Sequence, residues 1–218
     1  MDELLRLRAR AARAEIQSGA LRAAPLRDLL LSVPYLERDG FADELLGIEP
    51  PPPDSPELPR GSVPYVPCEV EEILTTVREV PLGPKDTFVD LGSGLGRVVL
   101  LAHLLSGARG IGVEIQDHLV RRATERREDL GLPAVSFVHA NAEEVELDGS
   151  VFFLYAPFSG DMLARVVRGL ESVARRRSIV VCAVALELRD VPWLVARKSA
   201  SISLTLYDSH RTSRDEHG

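Results

Sequence analysis

The chain reads as an α/β protein: a mostly parallel, seven-stranded sheet in a three-layer α/β/α sandwich, with a terminal antiparallel hairpin and an N-terminal helical cap. Three observations predict this. Short runs dense in Val, Ile and Phe alternate with helix-length segments, as in a parallel sheet buried on both faces. A glycine-rich turn, "DLGSGLGR", joins one such run directly to a helix. The last two apolar runs, "WLVARKSA" and "SISLTLYDS", lie too close together for a helix between them and so form a hairpin.

Taken in order, residues 3–18 read as one amphipathic helix. Asp2, Glu3 and Glu15 among its arginines separate it from an organelle-targeting peptide. Shorter helical stretches fall around 25–32 and 40–47. The proline-rich "EPPPDSPELPRGSVPYVP" then interrupts helix and sheet together. It reads as a structured crossing, with a flexible linker as the plainer alternative. Residues 1–60 thus form a helical cap and crossing, residues 61–209 the main domain, and residues 210–218 a tail without apolar anchors that can fray. Within the main domain a helix is expected over 68–79, then the strand "TFVDL" and the helix "GRVVLLAHLLSG". The strand "GIGVEI" precedes the charged helix in "DHLVRRATERREDLG", and the strands "VSFVHAN" and "SVFFLYAP" follow. Met162, Leu163, Val166, Val167, Leu170 and Val173 mark the apolar face of the next helix, and "SIVVCAVAL" is a buried strand.

Size and composition bound the function. A chain of 218 residues fits one substantial domain with an appendage. Acidic residues exceed basic ones by 33 to 26, giving a net charge of −7, so stable nucleic-acid binding is not expected. Cys68 and Cys182 are too few for a disulfide framework, and no Cys/His spacing suggests a metal site. No apolar run spans a bilayer or forms a secretion signal, which points to a cytoplasmic protein without a membrane partner.

The chemistry concentrates around Asp90, Gly92, Ser93, Gly94 and Gly96. Glycines there let the backbone turn sharply and approach a ligand, and the following helix offers N–H groups to an anion. The dinucleotide pattern G-x-G-x-x-G fails because Arg97 takes its third glycine position, and no Walker Gly-Lys-Ser/Thr follows. Glu114, with Ile115 beside it, ends the second strand, where an acid can accept hydrogen bonds from vicinal ribose hydroxyls.

These residues closely resemble the class I S-adenosylmethionine-dependent methyltransferases over about residues 64–208. The likeness is most specific in "FVDLGSGLGRVVL", then "GVEI", then "HANAEE" and "FFLYAPF". It implies that the turn from Asp90 to Gly96 meets the methionine part of S-adenosyl-L-methionine, that Glu114 binds its ribose, and that Asn141 and Ala142 frame adenine. Many members carry aspartate where Asn141 stands. With "YVPCEVEEI" upstream, the chain most resembles small Rossmann-type proteins related to protein lysine methyltransferases, including the Dot1-like group. That likeness implies that Tyr65 packs beside the methionine portion and that Glu69 steadies its ammonium. Cys68 needs only to pack.

At the exit of "VFFLYAPF", Tyr155 and Phe158 are the candidate catalytic residues, an aromatic wall that orients an amine and excludes water. The side-chain amide or carboxylate that base-modifying enzymes carry at this exit is missing from Tyr155. His139 reads as structural. The expected activity is methyl transfer to a protein lysine or, almost equally, to a small metabolite. A non-catalytic S-adenosylmethionine-binding module remains open, and a nicotinamide oxidoreductase is disfavoured by Arg97 and the glycine spacing.

Overall fold

The computed structural model describes residues 1–56, 58, 61–145, 148–156 and 158–210. Three helices open the chain: α1 (Glu3–Gln17), α2 (Ala23–Leu31) and α3 (Tyr35–Leu46). After the proline-rich crossing come α4 (Val70–Glu79), β1 (Thr87–Leu91), α5 (Arg97–Ser106), β2 (Arg109–Glu114), α6 (Asp117–Asp129) and β3 (Val135–His139). Then follow β4 (Val151–Tyr155), α7 (Gly160–Ala174), β5 (Val180–Val184), β6 (Leu194–Lys198) and β7 (Leu204–Ser209). The expected tail falls, beyond His210, outside the described residues.

The seven strands form one sheet in the order β3-β2-β1-β4-β5-β7-β6. All pairs from β3 through β5 are parallel, whereas β7 runs antiparallel to both β5 and β6. Strand order reverses between β1 and β4, so the crevice beyond their carboxyl ends is the place for a ligand in an open α/β sheet.

The period-two alternation of the strands divides the core. Phe88 and Phe153 face α4 and α5, with ring centroids 5.9 Å apart, whereas Val89, Leu91, Phe152 and Leu154 pack under Met162, Val166 and Leu170 of α7. By the same alternation Asp90 and Tyr155 share the Phe88–Phe153 face as they reach the carboxyl edge. The helical cap joins that side: Ile16, Leu26, Leu30, Phe41 and Leu45 are continuous with the apolar residues of α4 and α5.

One helix begins earlier than its sequence suggests. The expected stretch around 40–47 is the second half of α3, which starts at Tyr35 after Pro34. The run "ERDG" looks like a break, but Gly40 lies on the exposed side of the helix with nothing within 4 Å of the space a Cβ would take. Gly47 ends the helix in the left-handed conformation. The start of α4 depends on this helix, because Asp39 of α3 accepts the Val70 N–H at 2.8 Å.

Because the cap and α5 share one core, Phe41→Ala is expected to remove about 3–5 kcal/mol from the stability of the whole chain. Denaturant unfolding followed by circular dichroism should keep one transition. A separate early transition would show that the cap melts independently.

Candidate functional site

Gly92, Gly94 and Gly96 all have positive φ, at 89°, 51° and 83°. The end of β2 holds this turn. Val113 O accepts the N–H groups of Gly92 and Ser93 at 2.8 and 3.0 Å, and Glu114 Oε2 accepts that of Gly94 at 2.9 Å. Gly96 N–H donates to Ser93 O at 2.8 Å. The turn's own N–H groups at Gly92, Ser93, Gly94 and Gly96 are thus spent internally, and its glycines matter for the room they leave.

The glycines use that room differently. Gly92 lines the cavities described below. A Cβ on Gly94 would lie 2.0 Å from the Tyr65 ring, so the tyrosine covers this glycine. A Cβ on Gly96 would lie 2.4 Å from Phe137 Cζ. Gly96 thus lies against β3 and α6 rather than along a cavity wall.

A cavity of about 190 Å³ opens at the carboxyl edge of the sheet. It brings together Tyr65, Gly92, Glu114, Ile115, Asn141, Ala142, Tyr155 and Phe158 from well-separated parts of the sequence. A smaller cleft of about 20 Å³ is lined by Tyr65, Cys68, Asp90, Gly92, Ser93, Arg97 and Tyr155. Tyr65 and Tyr155 border both spaces.

Glu114 is 6 % exposed, and its second oxygen, Oε1, accepts the Gln116 N–H at 2.9 Å. Each carboxylate oxygen retains acceptor capacity for a hydroxyl. Asn141 caps its own turn: Oδ1 accepts the Glu143 N–H at 3.2 Å, and Nδ2 donates to Glu143 Oε1 at 3.0 Å. Ser93 Oγ is buried without a hydrogen-bond partner among the described residues.

Electrostatics single out the small cleft. Asp90 is 2 % exposed, and burial followed by the Glu114 charge pushes its carboxyl well above the usual range. Such a buried acid suits a cationic ligand. Burial raises Tyr65 to about 12, against the Arg97 charge and the Leu95 backbone N–H. Tyr155 is raised by burial and then by its acidic neighbours, the Cys68 thiol first and the carboxylates of Glu69, Glu72 and Asp39 after it, which keeps its hydroxyl protonated at neutral pH. Burial likewise holds Cys68 as a thiol, and its Sγ donates to Glu69 O.

Glu69 lies elsewhere. It is exposed, precedes α4, and accepts a hydrogen bond from the Tyr35 hydroxyl at 3.0 Å, outside both spaces. The reason is tertiary: α3 offers a partner that "YVPCEVEEI" by itself does not reveal. His139 Nε2 contacts Ile115 O at 3.0 Å, a structural placement. Pro157 lies outside the described residues.

Sequence reasoning missed two residues here. Gln116 lines the large cavity, donates to Asp54 at 2.8 Å and accepts the Ser55 N–H at 2.7 Å, fixing the crossing over the pocket. Arg97, read only as a departure from a glycine pattern, is 5 % exposed and grips Asp43 of the cap. A buried arginine is a signal for a partner, but its sequence does not say which acid answers.

Asp90→Asn should raise the unfolding midpoint of the unliganded protein at neutral pH. The native pKa of Asp90 is raised, so the wild type binds a proton on folding and loses stability as pH rises above about 3.9, the unfolded value. The advantage of the variant should therefore vanish near pH 3 and grow as pH rises, measurable by thermal melts across that range.

Residues 64–152 match the family model described as "Histone methylation protein DOT1". A lysine N-methyltransferase of Caenorhabditis elegans, named for its action on ATP synthase, is 32% identical over 123 residues, covering 51% of this chain and 64% of that protein. The chain thus spans just under two thirds of that curated relative's length. An RNA methyltransferase from Salinibacter ruber, solved with S-adenosyl-L-homocysteine, superposes with a TM-score of 0.53 at 23% identity, over 66% of this chain and 92% of that one. Precorrin-6y C5,15-methyltransferase from Geobacter metallireducens gives 0.50 at 17% identity, over 69% and 93%. At such identities the structures establish the fold, and their acceptors differ widely. Over residues 64–152, which hold the glycine turn and the acid ending β2, the chain is thus similar to Dot1-like methylation proteins.

Proposed function

We propose that the protein transfers a methyl group from S-adenosyl-L-methionine to an amine, with a protein lysine as acceptor. The observation that carries this reading is the continuous cavity from Glu114, Asn141 and Ala142 to Tyr155 and Phe158, beside a buried Asp90 in the adjoining cleft. These residues fit the cofactor. Glu114 can accept its ribose hydroxyls, Asn141 and Ala142 can frame its adenine, and Asp90 and Ser93 offer a buried acid and a vacant hydroxyl acceptor to its cationic methionine end. The relative's lysine acceptor supports the choice of amine.

When bound, the cofactor supplies an activated methyl group on sulfonium sulfur. The protein's part is to position the acceptor and exclude water. Phe158 is buried in the cavity wall, where Ser62 pairs with it in an antiparallel bridge. Tyr155 keeps its proton and so orients an acceptor by hydrogen bonding instead of acting as a phenolate base. A lysine entering this half-buried space loses hydration, which favours its neutral, nucleophilic amine. No thiolate is needed, because Cys68 is held protonated.

A small-metabolite acceptor is the second reading, favoured by the Ser62–Phe158 bridge that narrows the cavity. Incubation with isotopically methyl-labelled cofactor, cell lysate and a metabolite fraction, followed by mass analysis, separates the two. Label on lysine in a polypeptide supports the first and label on a metabolite supports the second. Cofactor binding without any labelled product would instead identify a non-catalytic binding module.

Calorimetry is expected to show saturable S-adenosylmethionine binding and little NAD binding; the reverse preference would overturn the cofactor assignment. Glu114→Gln should weaken binding at least tenfold, since charge-assisted bonds of about 1.5–3 kcal/mol each are lost and about 1.4 kcal/mol is tenfold. Its amide also places a donor against the N–H groups of Gly94 or Gln116, so a lower melting point should accompany the loss.

A further inference from the structure

Arg97 opens α5 directly after the glycine turn. A cation is disfavoured at this positive end of the helix dipole, and burying a guanidinium is costly unless it is well paired. The pairing comes from two other parts of the chain. Nε and Nη2 donate to the two carboxylate oxygens of Asp43 on α3, at 2.8 and 2.5 Å, in a forked arrangement. Nη1 donates to Cys68 O at 2.7 Å, and Asp39 stands 3.9 Å away.

Cys68 belongs to the strap of residues 61–69 that crosses the cavity. The strap's upstream end is tied by Ser159 N–H donating to Gly61 O at 2.9 Å, and its middle by Tyr65 N–H donating to Asp54 at 3.1 Å. Arg97 and the Asp39–Val70 bond provide the downstream anchor. Between the anchors, Tyr65 lies on Gly94, and Tyr65 and Val66 border both the large cavity and the small cleft.

We propose that Arg97 is a positioning residue, clamped by Asp43 of the helical cap, that holds Tyr65 and Val66 as a wall of the cofactor site. The proposal rests on the reading of this cavity as an S-adenosylmethionine site. On this view the cap sets cofactor affinity and residence time. Asp43 and Arg97 act through the strap, and neither needs to touch the reacting atoms.

The test uses the full chain, with S-adenosyl-L-homocysteine as the probe. Dissociation constants and off-rates are compared for wild type, Asp43→Asn, Arg97→Lys, Tyr65→Ala and Asp43→Asn combined with Tyr65→Ala, with folding checked by circular dichroism. Arg97→Lys keeps the charge but lacks the planar fork. Both latch variants are expected to raise the dissociation constant at least tenfold, mainly through faster release. Hydrogen exchange should accelerate over residues 62–69 while that of β1 and β4 stays protected, a pattern general destabilisation would not give. In the Tyr65→Ala background, Asp43→Asn should have less than a twofold further effect, because the element it holds has lost its function. Wild-type affinity in either folded latch variant, or an undiminished Asp43→Asn effect in the Tyr65→Ala background, would overturn the proposal. If Asp43→Asn fails to fold, Arg97→Lys and its exchange pattern decide alone. Failure of the wild type itself to bind the probe would overturn the cofactor reading and the latch together.

Discussion

The carboxylate of Glu114 is the constraint on which the site is built. One oxygen holds Gly94 and the other holds Gln116, so a single buried acid joins the glycine turn after β1 to the loop after β2. Val113 O, immediately before it, takes the N–H groups of Gly92 and Ser93. Consecutive donors that would otherwise be left unsatisfied are thus consumed by one strand end. The turn is therefore held by the protein's own hydrogen bonds.

Placing a second acid, Asp90, close to Glu114 has an electrostatic consequence. Burial, and after it the Glu114 charge, disfavours the charged form of Asp90. Stability alone does not favour this arrangement, whereas recognition of a cation does. The cap handles charge the opposite way. Arg97 and Asp43 bury opposite charges together through two well-formed bonds, and the Cys68 carbonyl accepts a third from the guanidinium. Asp43 is itself drawn upward by burial and held down by Arg97, so each group limits the desolvation penalty of the other.

Most of the fold was legible in the amino-acid pattern. "TFVDL" is β1 to the residue, and the alternation of apolar runs with helices yields the parallel sheet with its terminal hairpin. The early start of α3 was not legible, because an exposed Gly40 inside a helix looks the same in sequence as a helix break. In the site, residues next to strand ends were the readable ones, since strand direction fixes where a strand end lies. Gly92, Glu114, Ile115, Asn141, Ala142 and Tyr155 meet at one cavity for that reason. The roles of the three glycines were not separable, because the same residue type lines a cavity at Gly92, underlies a tyrosine ring at Gly94 and permits strand packing at Gly96.

Architecture, glycine turn and opposing acid are all written locally in the chain, because periodicity and steric freedom act over a few neighbouring residues. The partners that the charged residues near the strap acquire are a matter of tertiary packing. Glu69 turns to Tyr35 and Arg97 to Asp43 because α3, some thirty to fifty residues earlier, packs beside them. A long, flexible charged side chain has no local pattern to fix its direction, so its partner is set by whichever helix the shared apolar core brings alongside.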